Sequence, residues 1–180
     1  MQTKTILIRG GLVQDAVHRE PRKVDLLLAG GKIAAIGENL DATADAEVFD
    51  AAGLQVFPGF VDAHTHIGLD GYGIGYEGCD YNEMNDIWTP QLRAIDGINP
   101  RDPSLAHARK AGVTCVCTGP GSANPISGQF VAMKTAGRPL DDMVITAPAA
   151  MQPALQLLPK ALLAGFAVSP LCSEAQPGGV

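Results

Sequence analysis

The residues best suited to chemistry in this chain are two histidines, His64 and His66, which are separated by one residue. They follow residues 60–63, an apolar run that reads as a short buried strand. In an extended chain the side chains at positions i and i+2 point to the same face, so the two imidazoles converge while Thr65 faces away. Ring nitrogens at a rigid strand end suit a divalent cation. The spacing predicts a divalent-metal site; two histidines suit zinc, nickel, iron or manganese, and zinc is the favoured metal.

An isolated pair of this spacing is a weak signal, and its context is what strengthens it. A glycine-rich loop, residues 68–78, follows the pair, and histidines at the mouth of an apolar strand have no packing role there. Of the other two histidines, His107 is interpreted as an exposed helix residue. Cys115 and Cys117 could form a metal pair, but buried strand cysteines are the favoured interpretation.

The first 56 residues contain short apolar or β-branched runs separated by turn residues, which predicts a compact β-unit. Two of these runs flank a Gly-Gly pair at 30–31 and predict a β-hairpin. An earlier Gly-Gly pair at 10–11 is interpreted as the end of the first strand. The predicted strands of this part cover residues 5–9, 24–29, 32–37, 47–50 and 54–57.

A helix is predicted over residues 101–112. Asp102 suits the N-cap, Pro103 the first helical position, and Gly112 the residue just past the end. The apolar and β-branched run 113–118 then predicts a buried strand of the kind found in parallel sheets. A strand, loop, helix and second strand in this order predict a βα unit that returns parallel to its first strand.

The loop over residues 119–125 is rich in glycine, proline and small polar residues. Ser122 and Asn124 are candidates for hydrogen bonds to a substrate, although turn chemistry alone also explains these residue types. Further along, residues 128–137 predict a short extended piece. Residues 143–147 predict another buried strand, ended by the proline that follows.

Two stretches carry a resemblance to a known family. Residues 56–66, Val-Phe-Pro-Gly-Phe-Val-Asp-Ala-His-Thr-His, resemble the first barrel strand of the metal-dependent amidohydrolase superfamily. Residues 89–100, Thr-Pro-Gln-Leu-Arg-Ala-Ile-Asp-Gly-Ile-Asn-Pro, resemble its imidazolonepropionase-like branch. The resemblance extends over about residues 5–151. It implies an α/β fold: an amino-terminal β-sandwich segment followed by the first strands of an incomplete (β/α)8 TIM-type barrel.

The predicted domain organisation follows from this resemblance. Residues 1–56 are the sandwich segment, residues 57–151 the first part of the barrel, and residues 152–180 an atypical tail rich in proline, leucine and alanine. Within the tail, residues 155–166 could form a short apolar helix. We expect that the reading frame departs from the ancestral one near Met151 or that the gene is truncated; the alternative is a genuine tail that docks on the exposed edge of the barrel. The isolated chain is expected to be poorly soluble, or partly disordered beyond residue 150.

The resemblance also implies an activity: hydrolysis of non-peptide C–N bonds in a small cyclic or linear amide by a metal-activated water. His64 and His66 would be metal ligands, but the family's further ligands and its late aspartate have no counterpart here. Lys134 does not match the metal-bridging lysine of the family and is interpreted as a surface residue. The alternative is a catalytically inactive, truncated or frameshifted chain with at most residual metal binding.

Composition narrows the partners and the location. The formal net charge is −6 and no basic stripe is present, which argues against a nucleic-acid partner. No apolar run approaches the ~18 to 20 residues that a transmembrane helix needs, and the first residues do not read as a signal peptide. The sequence therefore predicts a cytoplasmic protein with no membrane contact, and leaves oligomer formation open.

Overall fold

The structure, a computed structural model, describes residues 4–15, 17–71, 75, 78–79, 81–137 and 139–153. The chain divides into two compact units, Met1–Pro58 and Gly59–Val180. The predicted helix at 155–166, and nearly all of the predicted tail, lie outside the described residues. Across the described ranges, no helix has the length and apolar character needed to cross a bilayer.

The first unit is built on one five-stranded sheet of order β3-β2-β1-β4, with β5 also pairing with β1. Its predicted hairpin is confirmed: β2 and β3 pair antiparallel and are joined through Gly30 and Gly31, whose φ angles of 59° and 75° suit a tight two-residue turn. The strands are β1 (Ile6–Val13), β2 (Arg22–Ala29), β3 (Lys32–Gly37), β4 (Glu47–Asp50) and β5 (Gln55–Val56).

The prediction that the first strand ends at Gly10 and Gly11 was wrong. β1 continues through both glycines, and its pairing with β2 shifts register between Ile8 and Gly11. Gly10 has a φ of 71° there, and its N–H donates to the carboxylate of Asp25 at 2.7 Å. Asp25 is 5% exposed and also accepts from the N–H of Leu40 at 3.0 Å. A buried carboxylate thus satisfies the backbone at a bulge that local sequence rules read as a strand end.

The loop between β1 and β2 contains a carboxylate whose titration should be visible in acid. Asp15 accepts hydrogen bonds from the backbone N–H of His18 at 2.7 Å and from its ring Nδ1 at 2.9 Å, and Arg22 donates to it at 3.2 Å. These bonds favour the ionised form, so the pKa of Asp15 lies well below its ordinary value of 3.8.

Because this pKa is lowered by folding, the stability it contributes is present above the unfolded pKa and is lost as the pH falls through the folded one. We expect Asp15→Asn to unfold at lower urea than the wild type from pH 7 down to roughly pH 5, with the difference shrinking below pH 3.8. Urea unfolding across pH measures it, and Glu20→Gln in the same loop is the control. A difference that is constant down to pH 2 would contradict the assignment.

The second unit contains a four-stranded sheet of order β6-β7-β8-β9, in which β6 and β7 are parallel. Helix α2 lies between these two strands in sequence, so the predicted βα unit is confirmed. The prediction that residues 60–63 form a buried strand was wrong in its burial, because β6 is an edge strand of this sheet and these residues are exposed. The elements are β6 (Phe60–Thr65), α1 (Ala94–Gly97), α2 (Pro103–Lys110), β7 (Val113–Thr118), β8 (Ile126–Lys134) and β9 (Val144–Pro153).

The chain after β7 departs from the expected arrangement. β8 pairs antiparallel with β7, and β9 pairs antiparallel with β8, whereas every strand of a (β/α)8 barrel is parallel. The predicted short extended piece is a nine-residue strand that starts at Ile126. β9 also continues past Pro148, and the β8–β9 register shifts there between the pairs Phe130–Ala150 and Ala132–Thr146. An irregular stretch of pairing accommodates a proline, which cannot donate to the ladder.

Helix α2 begins as its sequence predicts. Asp102 is 4% exposed and its carboxylate accepts the N–H of Ser104 at 2.7 Å, with Pro103 at the first helical position. Ala111 is the C-cap, followed by Gly112 with a φ of 92°. Leu105 packs into the core at 2% exposure.

Removing this N-cap should measurably destabilise the second unit. We expect Asp102→Ala to lower the free energy of unfolding by about 1 kcal/mol, because the N–H of Ser104 loses its acceptor. Urea unfolding followed by circular dichroism measures the change. Asp141→Ala, on an exposed carboxylate of the same unit, is the control. Equal stability of the two variants would show that the cap does not contribute.

The second sheet has two different faces, and this difference positions the candidate site. One face packs against the helices in a core of seven buried residues: Ala94, Ile98, Leu105, Val116, Val131, Met133 and Met143. The opposite face carries a smaller cluster: Cys117, Phe130, Ala132 and Ala149. Side chains alternate between these faces along each strand. Phe130 of the smaller cluster contacts the rings of His64 and His66, so both histidines lie on the face away from the helices.

Candidate metal centre

The structure brings His64 and His66 together at the carboxyl end of β6. Their ring centroids are 5.3 Å apart and the ring planes are at 84° to each other. Two imidazoles bound to one tetrahedral cation at ~2.1 Å from each nitrogen have centroids roughly 5 Å apart. The observed spacing therefore fits a shared cation. His64 is exposed and His66 is half-buried, so a ligand could reach both rings from solvent. Their role as metal ligands stays a prediction.

Gly119, the first residue after β7, holds the end of the histidine strand with both of its backbone groups. Its N–H donates to the carbonyl of Thr65 at 3.2 Å, and its carbonyl accepts from Nδ1 of His66 at 2.7 Å. The neighbouring Thr118 is fully buried, and its hydroxyl donates to the carbonyl of Ile67 at 2.8 Å. The ends of two parallel strands are thus joined where the histidines emerge.

The hydrogen bond to Gly119 decides the tautomer of His66. A carbonyl oxygen only accepts, so Nδ1 must carry the proton. In the neutral ring, Nε2 then holds the lone pair that a metal needs. A backbone carbonyl on the far nitrogen is the usual partner of a metal-bound histidine, because it sets both the tautomer and the ring orientation. His66 is accordingly prepared for metal binding before any cation arrives.

Two aromatic rings surround the histidine pair. Phe130, on β8, is 3% exposed and lies with its centroid 5.2 Å from that of His64 and 6.3 Å from that of His66. Tyr81 stacks on His66 with the centroids 5.0 Å apart and the planes within 2° of parallel. The pair is therefore enclosed by aromatic surface on the protein side.

The loop with the predicted substrate-binding residues connects to the segment that carries Tyr81. The N–H of Gly121 donates to the carbonyl of Tyr81 at 2.7 Å. The side-chain amide of Asn124 donates to the carbonyls of Glu83 at 2.7 Å and Asp86 at 3.2 Å, and Asn124 is 8% exposed. The side-chain amide nitrogen of Asn124 is therefore already hydrogen-bonded within the protein. Ser122, on the same loop, is exposed. Substrate contact by Ser122 and Asn124 stays a prediction.

The described residues provide part of a coordination shell. Within the ranges that the structure covers, no group of three or more histidine, cysteine, aspartate or glutamate side chains converges in a way that could hold a metal ion. A catalytic zinc generally takes three protein ligands and a water. The histidine pair thus fits a cation as two ligands, and completing the shell requires donors other than those described.

Other residues considered from the sequence lie apart from the pair. His107 is exposed on α2, as predicted, and Lys134 is exposed at the last position of β8. On β7, Cys117 is 7% exposed while Cys115 is only half-buried, so the prediction of two buried cysteines holds for the second alone.

An open cavity of about 700 Å³ is lined by His66 but not by His64. Thr65 and Ile67, which alternate with the histidines, line it together with Asp70 and Ser104. The hydroxyl of Ser104 is buried and makes no hydrogen bond within the described part of the chain. The cavity therefore lies beside the histidine pair rather than in front of both rings.

Sequence reasoning missed three residues of the site: Tyr81, Gly119 and Phe130. The Gly-Pro-Gly run at 119–121 was a usable signal, since a glycine directly after a buried strand marks a close backbone approach. A Cβ added at Gly119 would overlap the ring of Phe130. Nothing in the local sequence identifies Tyr81 or Phe130, because both reach the histidines only through tertiary contacts.

Comparison with known proteins finds relatives that match part of this chain. No family model matches the chain. A dihydroorotase of Geotalea daltonii is 48% identical over 92 residues, which is 51% of this chain and 20% of that protein. An allantoinase of Salmonella choleraesuis is 49% identical over 74 residues, or 40% of this chain and 16% of that protein.

Among solved structures, an amidohydrolase from Thermotoga maritima matches with a TM-score of 0.77 at 41% identity, covering 82% of this chain and 38% of that one. The chain spans about a fifth or less of the length of the curated relatives it matches. These homologues are amidohydrolases, and they match a partial segment of this chain. The mixed sheets and few helices of the present structure agree with an α/β-type fold.

Proposed function

We propose that this chain, homologous over part of its length to amidohydrolases, supplies the first metal-binding strand of a metal-dependent amidohydrolase acting on C–N bonds other than peptide bonds. The observation that carries the proposal is the paired geometry of His64 and His66, with Nδ1 of His66 held by the carbonyl of Gly119. The metal proposed is zinc. Residues 1–56 would be the sandwich segment and residues 57–151 the start of the barrel.

The position of the pair supports a barrel active site. In a (β/α)8 barrel the active site lies at the carboxyl ends of the strands, and the helices cover the outer face of the sheet. His64 and His66 lie at the carboxyl end of β6, on the face that does not pack against α2. β6, α2 and β7 then correspond to one βα unit. The antiparallel β8 and β9 would be a hairpin specific to this part of the molecule.

The chemistry follows from the ligands. A bound divalent cation would lower the pKa of a water to near ~7 and polarise the carbonyl of the amide. His64 and His66 would hold that cation, and Gly119 would keep Nε2 of His66 directed at it. Phe130 would exclude water from the protein side of both rings. The group that accepts the proton of the attacking water is not among the residues assigned here.

The substrate class proposed is a small cyclic or linear amide. Two of the relatives are named as a dihydroorotase and an allantoinase. A small amide agrees with a formal charge of −6, which gives no support to a nucleic-acid partner. We also propose a cytoplasmic location without membrane contact.

A second candidate function is residual metal binding without catalysis, as expected of a truncated or frameshifted chain. It is favoured by the finding that no third histidine, cysteine or carboxylate joins the pair within the described ranges. This candidate predicts weak divalent-metal binding through His64 and His66 and no turnover of any amide.

The test is to load the full chain with zinc and follow ring opening of dihydroorotate and allantoin by loss of substrate. His64→Ala abolishes the metal pair, and His107→Ala, on the exposed side of α2, is the matched control. Zinc-dependent hydrolysis that is lost only with His64→Ala supports the enzyme. Zinc binding that His64→Ala removes, without hydrolysis, selects the non-catalytic candidate. Zinc binding that is the same in all three proteins rejects both.

A further inference from the structure

We propose that Tyr81 is a positioning residue of the metal centre, which fixes the rotation of His66 by stacking on its imidazole. This inference rests on the proposed function, because it assumes that His66 binds a metal. Tyr81 lies fifteen positions after His66, in a polar segment with no regular secondary structure. Its ring is nonetheless within 2° of parallel to the imidazole, at a centroid separation of 5.0 Å.

The stack restrains a motion that the hydrogen bond to Gly119 leaves free. That bond, at 2.7 Å, fixes the distance and direction of Nδ1, but the ring can still tilt about the line that joins the two atoms. A parallel aromatic ring opposes this tilt, because tilting separates the two faces. Phe130 approaches from another direction, at an angle of 65° to the imidazole, and does not repeat the restraint. Together, the contacts of His66 with Gly119, Tyr81 and Phe130 restrict its Nε2 lone pair to one direction.

The stack should also favour the metal-loaded state over the metal-free one. An imidazole bound to a cation carries more positive charge than a neutral one, and a positive group is attracted to the face of an aromatic ring. The ring of Tyr81 therefore stabilises the loaded His66 more than the empty one. Loss of the Tyr81 ring should therefore lower the metal affinity and not only the folding stability.

Tyr81 is held in place by the same loop that orients His66. The N–H of Gly121 donates to its carbonyl at 2.7 Å, and the side-chain oxygen of Asn82 accepts from the N–H of Ala123 at 3.4 Å. A Cβ at Gly121 would overlap the side-chain oxygen of Asn82 and would also lie 2.6 Å from the ring atom Cδ2 of Tyr81, so Gly121 must lack a side chain for both neighbours to occupy their places. Gly119 and Gly121 thus position the two partners from one short loop.

The experiment measures zinc affinity and the ring protons of His66 in a set of variants of the full chain. Tyr81→Phe keeps the aromatic face, Tyr81→Leu removes it, and Gly121→Ala displaces it without deleting it. Trp88→Leu is the matched control, since Trp88 lies in the same stretch and is 59% exposed. Zinc titration gives the affinities, and proton NMR of the metal-free protein gives the ring-current shift that Tyr81 imposes on His66.

We expect Tyr81→Leu and Gly121→Ala to weaken zinc binding by about 10-fold and to remove the ring-current shift, as the loss of a residue that orients a metal-binding histidine does. Tyr81→Phe and Trp88→Leu should stay within about 2-fold of the wild type. Unchanged affinity in Tyr81→Leu overturns the inference. So does equal weakening in Tyr81→Phe, because the hydroxyl and not the ring would then matter.

A failure of the proposed function gives a different result. If His66→Ala itself leaves zinc binding unchanged, the metal centre is rejected and the inference with it. If His66→Ala abolishes binding while Tyr81→Leu has no effect, only the inference fails. Because Gly121→Ala moves the ring without removing it, a Tyr81→Leu variant that does not fold still leaves a decisive comparison.

Discussion

Replacing His66 with alanine should weaken zinc binding by the full chain by more than ~100-fold, because the loss of a mere orienting residue already costs 10- to 100-fold at such sites. The reason is geometric as well as chemical. His66 is the ring whose Nδ1 is fixed by Gly119, so it is the preorganised member of the pair. Isothermal titration with zinc measures the change, supported by the absorption spectrum of the cobalt-loaded protein.

The control for this prediction is His107→Ala, which removes an exposed imidazole from α2. It should bind zinc as the wild type does, with one ion per chain. A variant His64→Ala should weaken binding as well, but less steeply, since His64 is more exposed. If both His64→Ala and His66→Ala retain the wild-type zinc affinity, the two histidines do not form a metal centre.

Gly119→Ala should both destabilise the second unit and weaken metal binding. A Cβ at this position would overlap the buried ring of Phe130, and forcing extra volume into a packed site costs about 1–3 kcal/mol. The displaced loop would also move the carbonyl that holds Nδ1 of His66. Urea unfolding measures the first effect, and zinc titration of the folded variant measures the second.

Two further variants separate the overlap from a general effect of replacing glycine. In Gly37→Ala the nearest side-chain atom, Cδ2 of Leu40, lies 3.3 Å from the new Cβ and can adjust, so stability should change little. In the double variant Gly119→Ala with Phe130→Leu the smaller side chain relieves the overlap. Partial recovery of stability is expected relative to Gly119→Ala alone. If the double variant is less stable by the sum of both effects, the two residues do not interact as described.

Part of this fold was predictable because it depends on residues near one another in sequence. The hairpin at Gly30 and Gly31, the N-cap at Asp102 and the end of α2 at Gly112 each follow from backbone preferences over a few positions. The alternation of side chains in a strand likewise placed His64 and His66 on one face. The resemblance to amidohydrolases is confirmed by the homologues over part of the chain. The assignment of residues 89–100 to an imidazolonepropionase-like branch stays a prediction.

The strand that continues through Gly10 shows where local rules stop. A Gly-Gly pair marks a strand end unless a distant group satisfies the bulged backbone, and here Asp25 does so from the next strand. Likewise, nothing in the residues of β8 states whether it pairs parallel or antiparallel with β7. The direction of pairing depends on which sheet edges and faces the rest of the chain leaves open. The sequence predicted the parallel pairing of β6 and β7, but not the antiparallel pairing of β8.

The sequence by itself therefore determined which residues could bind a metal, and the tertiary structure alone decided how they are held. The spacing of His64 and His66 is a local property of one strand. Gly119 lies 53 positions beyond His66, and neither it nor Tyr81 or Phe130 is related to the pair by any periodicity. Gly119 contacts His66 because the parallel strands β6 and β7 end side by side, which brings the segments that follow them together. Phe130 reaches the histidines from β8, which pairs with β7.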